Sequence, residues 1–343
     1  MKEKILPLET IILCLVFSAC ADLQSNSSGR ERASAEAVSS PSKTSFTIAS
    51  WNVQTFFDAF TDGCEYSDFK SSAKWSEEKY EVRLKRLCQV LSSLDADIFA
   101  LQEIENQGII QDIANHFAGN AWNPEKNWTY ACFSKTRGSA IGCAILSKYP
   151  LFGLKSHSLD IRSEKSDQPS MRPIMEVSAD IKGREIIIIV NHWKSKSGGA
   201  DESQVWRKWQ EKVLAQRLAE LEKESEAACI ILGDFNQDLL EFESDFSGQE
   251  NEGNIILNQS VRVFSPWFQA DGSLSSEIGS YYYKNQWERI DHIFTFKNAS
   301  IKDFAPRAEE PWADERKVPL SYKIYTGQGY SDHLPVMATV TVE

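Results

Sequence analysis

Two histidines and six acids or amides stand at the ends of apolar runs, and their side-chain types suit hydrolysis assisted by a hard cation. Asn52 closes the run from Phe46, and Glu103 follows Asp97-Ile98-Phe99-Ala100-Leu101-Gln102. His192 ends a run built on Ile186–Val190, and Asp234 and Asn236 follow Cys229-Ile230-Ile231-Leu232-Gly233. Asp291 sits within Arg289-Ile290-Asp291-His292-Ile293-Phe294, and Asp332 and His333 precede Leu334-Pro335-Val336. Carboxylate and amide oxygens suit Mg²⁺, which keeps several waters and takes few protein ligands. Histidines near acids serve as general acids or bases, or as charged donors. Asp234 and Asn236 are two apart, so an extended chain projects both from one face. A single Gly-Asp turn or a lone histidine is ordinary; their recurrence at one strand end after another is what points to a site.

The elements that must carry these residues are visible in the apolar spacing. Strands are expected at Phe46–Asn52, Asp97–Gln102, Trp128–Phe133, Ile141–Ser147, Ile174–Ile181, Glu185–His192, Cys229–Leu232, Ile290–Phe296 and Pro335–Val342. A helix over Ser76–Leu94 places Tyr80, Leu84, Leu87, Val90 and Leu91 on one stripe, with Ser76 as its N-cap. Gln204–Lys223 and Ile109–Phe117 are the other helices. Short strands interleaved with few helices predict a layered α/β fold with sheets packed face to face. Alternation is too irregular for a TIM barrel, and no GxGxxG follows the first strand. The polar stretches Gln237–Phe264 and Lys302–Tyr330 are expected as loops near the motif-bearing strand ends.

The chain has 343 residues and a net charge of −12. Residues 1–44 carry Lys2, Lys4, Arg30, Arg32 and Lys43 against Glu3, Glu9, Asp22, Glu31 and Glu36, so the whole excess lies in the body. An acidic body excludes a charge-driven nucleic-acid coat protein, but not an enzyme that meets phosphate through a bound cation. Basic Lys2 and Lys4, apolar Ile11 to Phe17, and Ser18-Ala19-Cys20 resemble a bacterial lipoprotein signal, with lipid on Cys20. Residues 21–44 then read as a flexible tether, and residues 45–343 as one catalytic domain. The implied location is the cell envelope, lipid-anchored or secreted. Cys64, Cys88, Cys132, Cys143 and Cys229 are left in the body; Cys132 and Cys143 are placed to face each other across a hairpin. No Cys/His spacing suggests zinc.

As an ordered set, the motifs resemble the endonuclease/exonuclease/phosphatase superfamily across 45–343. The resemblance implies a four-layer α/β sandwich, two mixed β-sheets with helices outside, and Mg²⁺-dependent hydrolysis of phosphodiesters, with Mn²⁺ as an alternative. It implies metal ligation by Glu103, assisted by Asn52 and Asp332. Asp234 would orient or deprotonate the attacking water, and Asn236 would donate to phosphoryl oxygen. Asp291 would hold the ring of His333, and His192 would contact the phosphate or leaving group. Arg172 matches a substrate-backbone contact of DNase-like members. Lys194 opens a cationic, Gly-ended loop fit for phosphate, and His292 reads as structural.

Substrate choice is open within the superfamily. His192-Trp193-Lys194-Ser195-Lys196-Ser197-Gly198-Gly199, followed by Arg207 and Gln210, is similar to exported bacterial nucleases, as is Ser50–Asp58. A nucleic-acid partner and a monomer are therefore expected. Tyr281, Tyr282, Tyr283 and Trp287 are read first as packing at a strand start and second as base-stacking groups. The alternatives are a sphingomyelinase-like or inositol-phosphate-type enzyme, with Val318–Tyr325 and Trp312 as its membrane contact, and a non-catalytic surface protein.

Overall fold

The computed structural model describes residues 11–16, 43–70, 74–118, 128–160, 168–246 and 253–342. Cys20 and most of the expected signal and tether lie outside the described residues. In chain order the elements are Ile11–Val16 (β1), Thr44–Phe56 (β2), Glu77–Leu94 (α1), Ile98–Ile104 (β3), Gln107–Ala118 (α2), Tyr130–Lys135 (β4), Gly142–Ser147 (β5), Leu151–His157 (β6), Ile174–Ile181 (β7) and Arg184–His192 (β8). Ala200–Glu224 (α3) and Ala228–Asp234 (β9) follow. The remainder is Glu243–Asp245 (β10), Asn254–Leu257 (β11), Val261–Phe264 (β12), Tyr281–Tyr283 (β13), Gln286–Glu288 (β14), Asp291–Phe296 (β15), Ala299–Pro306 (β16) and Val336–Val342 (β17).

Alternation along β2 builds the layers. Phe46 and Ile48 enter a core shared with Ile98 and Ala100 of β3 and with Val177, Ile188 and Ile231 of the other sheet. Ala49, Trp51 and Val53 face the opposite way, into a core with Leu87, Val90 and Leu91 of α1 and Ile109, Ile110 and Ile113 of α2. Leu214, Leu218 and Leu221 of α3 pack with the second sheet. One mixed sheet runs β1-β4-β5-β3-β2-β17-β16 and the other β10-β11-β12-β15-β9-β8-β7-β6. This is the expected four-layer α/β sandwich.

Each sheet has a parallel pair near its centre, β2–β3 joined through α1 and β8–β9 joined through α3. Parallel neighbours linked by a crossover helix end at the same edge, so Asn52, Glu103, His192 and Asp234 are delivered to one rim. Antiparallel β15 starts there with Asp291 opposite Asp234. Val336 of β17 lies opposite Ser50 of β2, which brings the preceding Asp332 and His333 to the same place.

Several expectations need correction. Cys132 lies opposite Ile145 and Cys143 opposite Ser134, so the register offsets the two thiols and no disulfide joins them. The expected loop Gln237–Phe264 contains β10, β11 and β12, because Ile255, Leu257, Val261 and Val263 supply a buried alternating face. Residues 302–306 belong to β16, paired with β17. The strand β6 and the β13–β14 hairpin were not anticipated, since β6 shows no alternating buried face and β13 and β14 are only three residues each. Among the described residues no helix is long and apolar enough to cross a membrane.

Candidate active site

Strand register sets the first row of the site. His192 lies opposite Asp234 on the β8–β9 pair, and Asp291 lies opposite Asp234 on the β15–β9 pair. Residues directly opposite in a sheet project to the same face. Gly233 allows the close approach that places Asp234: its φ is +133°, and a Cβ there would sit 1.9 Å from the Asn191 carbonyl oxygen. Only glycine fits such a position.

Asn52 links this row to the other sheet. Its Nδ2 donates to Glu103 Oε1 at 3.2 Å and to Asp234 Oδ2 at 2.9 Å. Its Oδ1 accepts from the Gln54 N–H at 2.9 Å. The resemblance implies Asn52 as a metal ligand; here its amide lies between the acids and ties Glu103 to Asp234. Glu103 has a φ of +68° and accepts from the Thr55 N–H at 2.5 Å. Asp234 accepts from the Asn236 N–H at 2.8 Å and from its Nδ2 at 3.0 Å.

Although both histidines are buried, their environments set opposite charge states. Burial drives His192 well below its ordinary pKa, with Arg172 and His333 adding to the effect. Its Nε2 lies 3.6 Å from both Glu103 Oε1 and Asp234 Oδ2. Burial also opposes charge on His333, but the charge and hydrogen bond of Asp291 outweigh it and hold the ring well above its ordinary value. The His333 Nδ1 to Asp291 Oδ2 distance is 2.8 Å, which leaves Nε2 for a substrate. Burial pushes Asp234 up; His333 opposes this shift and Asp291 reinforces it.

The cationic residues are placed less directly. Arg172 spends its guanidinium on backbone, donating from Nε to the His192 carbonyl at 3.2 Å and from Nη2 to the Trp193 carbonyl at 2.6 Å. Lys194 is anchored by its own N–H to Gln210 Oε1 at 2.7 Å. Neither lines the cleft, whereas Lys196 does, bridging Glu241 at 2.7 Å and Glu288 at 3.4 Å. His292 is buried against the Gln237 carbonyl at 3.0 Å, and burial lowers its pKa to about 4, as expected of a structural ring.

A cleft of about 890 Å³ opens over these groups, lined among others by Asn52, Glu103, Asp234, Asn236, Asp332 and His333. Tyr281 and Tyr283 also line it. Tyr283 is 50% exposed, and the Tyr281 ring lies 4.8 Å from that of His333. Tyr281 and Tyr283 are therefore cleft wall, on a β13–β14 hairpin outside both main sheets, whereas Trp287 packs against the core as expected and Tyr282 packs on Trp287. Sequence spacing also missed the Gln54 and Thr55 N–H groups, which carry φ of +53° and +47° without a glycine to signal it.

The donor set fits a hard divalent cation. Glu103 and Asp332 both line the cleft, and no described residue donates a hydrogen bond to the Asp332 carboxylate. Asp234, Asp291 and His333 also bring ligand atoms within 4.8 Å of one another. Asp291 and His333 are committed to each other, however, so the oxygen-only pair Glu103 and Asp332 is the better match.

The family model described as Endonuclease/Exonuclease/phosphatase family matches residues 47–309. No curated protein matches the chain in sequence. A Bacteroides thetaiotaomicron endonuclease/exonuclease/phosphatase family protein superposes with a TM-score of 0.55 at 15% identity, over 89% of this chain and 97% of that one. The mannosyl-6-phosphatase Bt3783 of the same organism gives 0.53 at 16%, over 86% and 99%. TDP2 of D. rerio, complexed with a single-strand DNA product, gives 0.53 at 16%, over 87% and 99%.

Proposed function

The chain belongs to the Endonuclease/Exonuclease/phosphatase family and is a phosphoester hydrolase, and we propose that it cuts nucleic-acid phosphodiesters with Mg²⁺ outside the cytoplasm. The observation that carries this reading is the cleft. It sets the acids Glu103, Asp234 and Asp332 and the cationic His333 beside the rings of Tyr281 and Tyr283, which would stack on bases. The DNA product held by the D. rerio neighbour supports the same choice.

Glu103 and Asp332 would hold the cation, with Asn52 fixing Glu103 against Asp234. The cation supplies charge neutralisation at a phosphoryl oxygen. Asp234, made more basic by burial, takes the proton of the attacking water. Asn236 beside it donates to phosphoryl oxygen. His333, kept cationic by Asp291, donates through Nε2 to the charge that develops in the transition state. His192 stays neutral, with Nε2 3.6 Å from both Glu103 and Asp234. Tethering through Cys20 is part of the same proposal and rests on the N-terminal pattern alone.

The test incubates the full chain and His192→Ala with supercoiled plasmid, sphingomyelin and inositol phosphates, each with Mg²⁺ and with EDTA. Metal-dependent nicking is expected from the parent, reduced about 10²-fold or more in the variant, with cooperative unfolding retained. Release of phosphate or phosphocholine without nicking would move the function to a lipid- or inositol-directed phosphoesterase. Joint loss of fold and activity would make His192 structural.

A further inference from the structure

Behind the acids lies a guanidinium with no acidic partner. Arg83 of α1 is 2% exposed, and no described carboxylate lies within ion-pair distance of it. Its Nη1 donates to the Thr55 carbonyl at 2.9 Å, and its Nη2 donates to the carbonyls of Val53, at 3.0 Å, and Gln54. The guanidinium carbon lies 3.8 Å from the centre of the Tyr322 ring and 4.7 Å from that of Phe56. A buried cation with no ion-pair partner is costly, and here three backbone carbonyls and two rings offset that cost.

The three carbonyls belong to the segment where β2 breaks register with β3, between Asn52 and Phe56. Gln54 and Thr55 take left-handed φ there, a conformation that a non-glycine residue keeps only where the surroundings hold it. The N–H groups of the same segment hold the cation-side residues: Gln54 N donates to Asn52 and Thr55 N to Glu103. Tyr322 closes the circuit, since its N–H donates to Gln54 Oε1 at 2.7 Å while its ring covers Arg83.

We propose that Arg83 is a positioning residue for the cation site, holding the 53–55 bulge by its carbonyls so that the bulge N–H groups orient Glu103 and Asn52. This rests on Glu103 being a metal ligand. Planarity matters as much as charge, because one fork reaches three carbonyls and stacks on a ring, which an ammonium does not.

The sign of a metal-affinity change separates this role from its alternatives. A positive charge near Glu103 and Asp332 by itself repels a cation, so if Arg83 acted only through its field, removing it would tighten binding. Binding of Mn²⁺ alone to the full chain is measured by calorimetry for Arg83→Lys, Arg83→Met and the control Glu103→Gln. Both Arg83 variants are expected to raise Kd by about 10-fold or more, the range for lost outer partners of a ligand. Unchanged or tighter binding in either variant, alongside weakened Glu103→Gln, overturns the proposal. Unchanged binding in Glu103→Gln instead removes the premise. Should the Arg83 variants fail to unfold cooperatively, Tyr322→Leu, which leaves the guanidinium in place, is expected to weaken Mn²⁺ several-fold; no change in it would also overturn the proposal.

Discussion

At His333, a buried ring keeps its proton chiefly because the Asp291 carboxylate lies 2.8 Å away, with Asp234 and Asp332 adding to the effect. Desolvation alone would remove the charge, and the Asp291 interaction reverses that. The raised folded pKa means the ion pair contributes its full stability below about pH 6.5, the unfolded value, and loses it as pH rises through the folded pKa. The same deprotonation should end catalysis on the alkaline side. Asp291→Asn is therefore expected to move the alkaline limb of kcat/KM to lower pH and to lower the maximum by about 10²–10⁴-fold. A limb that stays in place would mean that His333 does not act as a cation. Nearby His192 shows the converse: without a comparable hydrogen-bonded acid, burial wins and the ring is neutral.

At the scale of elements, the rim depends on how closely β8 and β9 approach. Gly233 and Gly183 both have positive φ, +133° and +82°, but only at Gly233 would a Cβ meet backbone, the Asn191 oxygen at 1.9 Å. Gly183→Ala should cost roughly 1 kcal/mol from conformation alone. Gly233→Ala should cost clearly more and displace Asp234, so both denaturation midpoint and turnover fall. Equal midpoints for the two variants would show that the parallel pair yields without strain and that the glycine is not what sets the row. Helix α1 contributes in two ways, with Leu87, Val90 and Leu91 in the core and Arg83 reaching under the bulge.

For the whole molecule, the −12 charge sets a condition on the nuclease reading. A long polyanion approaching an acidic body is repelled over distances that salt screens, since the Debye length falls from about 30 Å at 0.01 M to about 10 Å at 0.1 M. At fixed saturating Mg²⁺, kcat/KM for long duplex DNA is expected to rise over that range, while that for a dinucleotide stays nearly flat. A steep fall from the lowest salt onward would indicate a basic track beyond the cleft. Within the cleft Lys196 is paired with Glu241 and Glu288, whereas Lys284, which also lines it, lies over the Tyr283 ring.

The polar punctuation of the strands was legible before any fold, because a strand end is a local property. Apolar runs pointed to the strand ends at His192 and Asp234, while β2 runs on past the expected end at Asn52 to Phe56; α1 showed both its stripe and its cap, Ser76, which accepts from the Lys79 N–H. Those signals were enough for the layered architecture; the shared catalytic rim came from the resemblance of the ordered motifs to the superfamily. What depends on residues far apart in the chain was not legible. The offset of Cys132 from Cys143, the pairing of β10–β12 and the exposure of Tyr283 follow from register and sheet position, which the local pattern does not encode. The turned amide of Asn52, the left-handed bulge at Gln54 and Thr55, and the reach of Arg83 beneath it are decided the same way. Each needs partners from β3, β9 or the Tyr322 segment to offset its cost. Sequence alone therefore determined which strand ends carry polar side chains, and tertiary structure decided which of them meet, with what charge and orientation, because register, burial and neighbouring charges exist only once the sheets are packed.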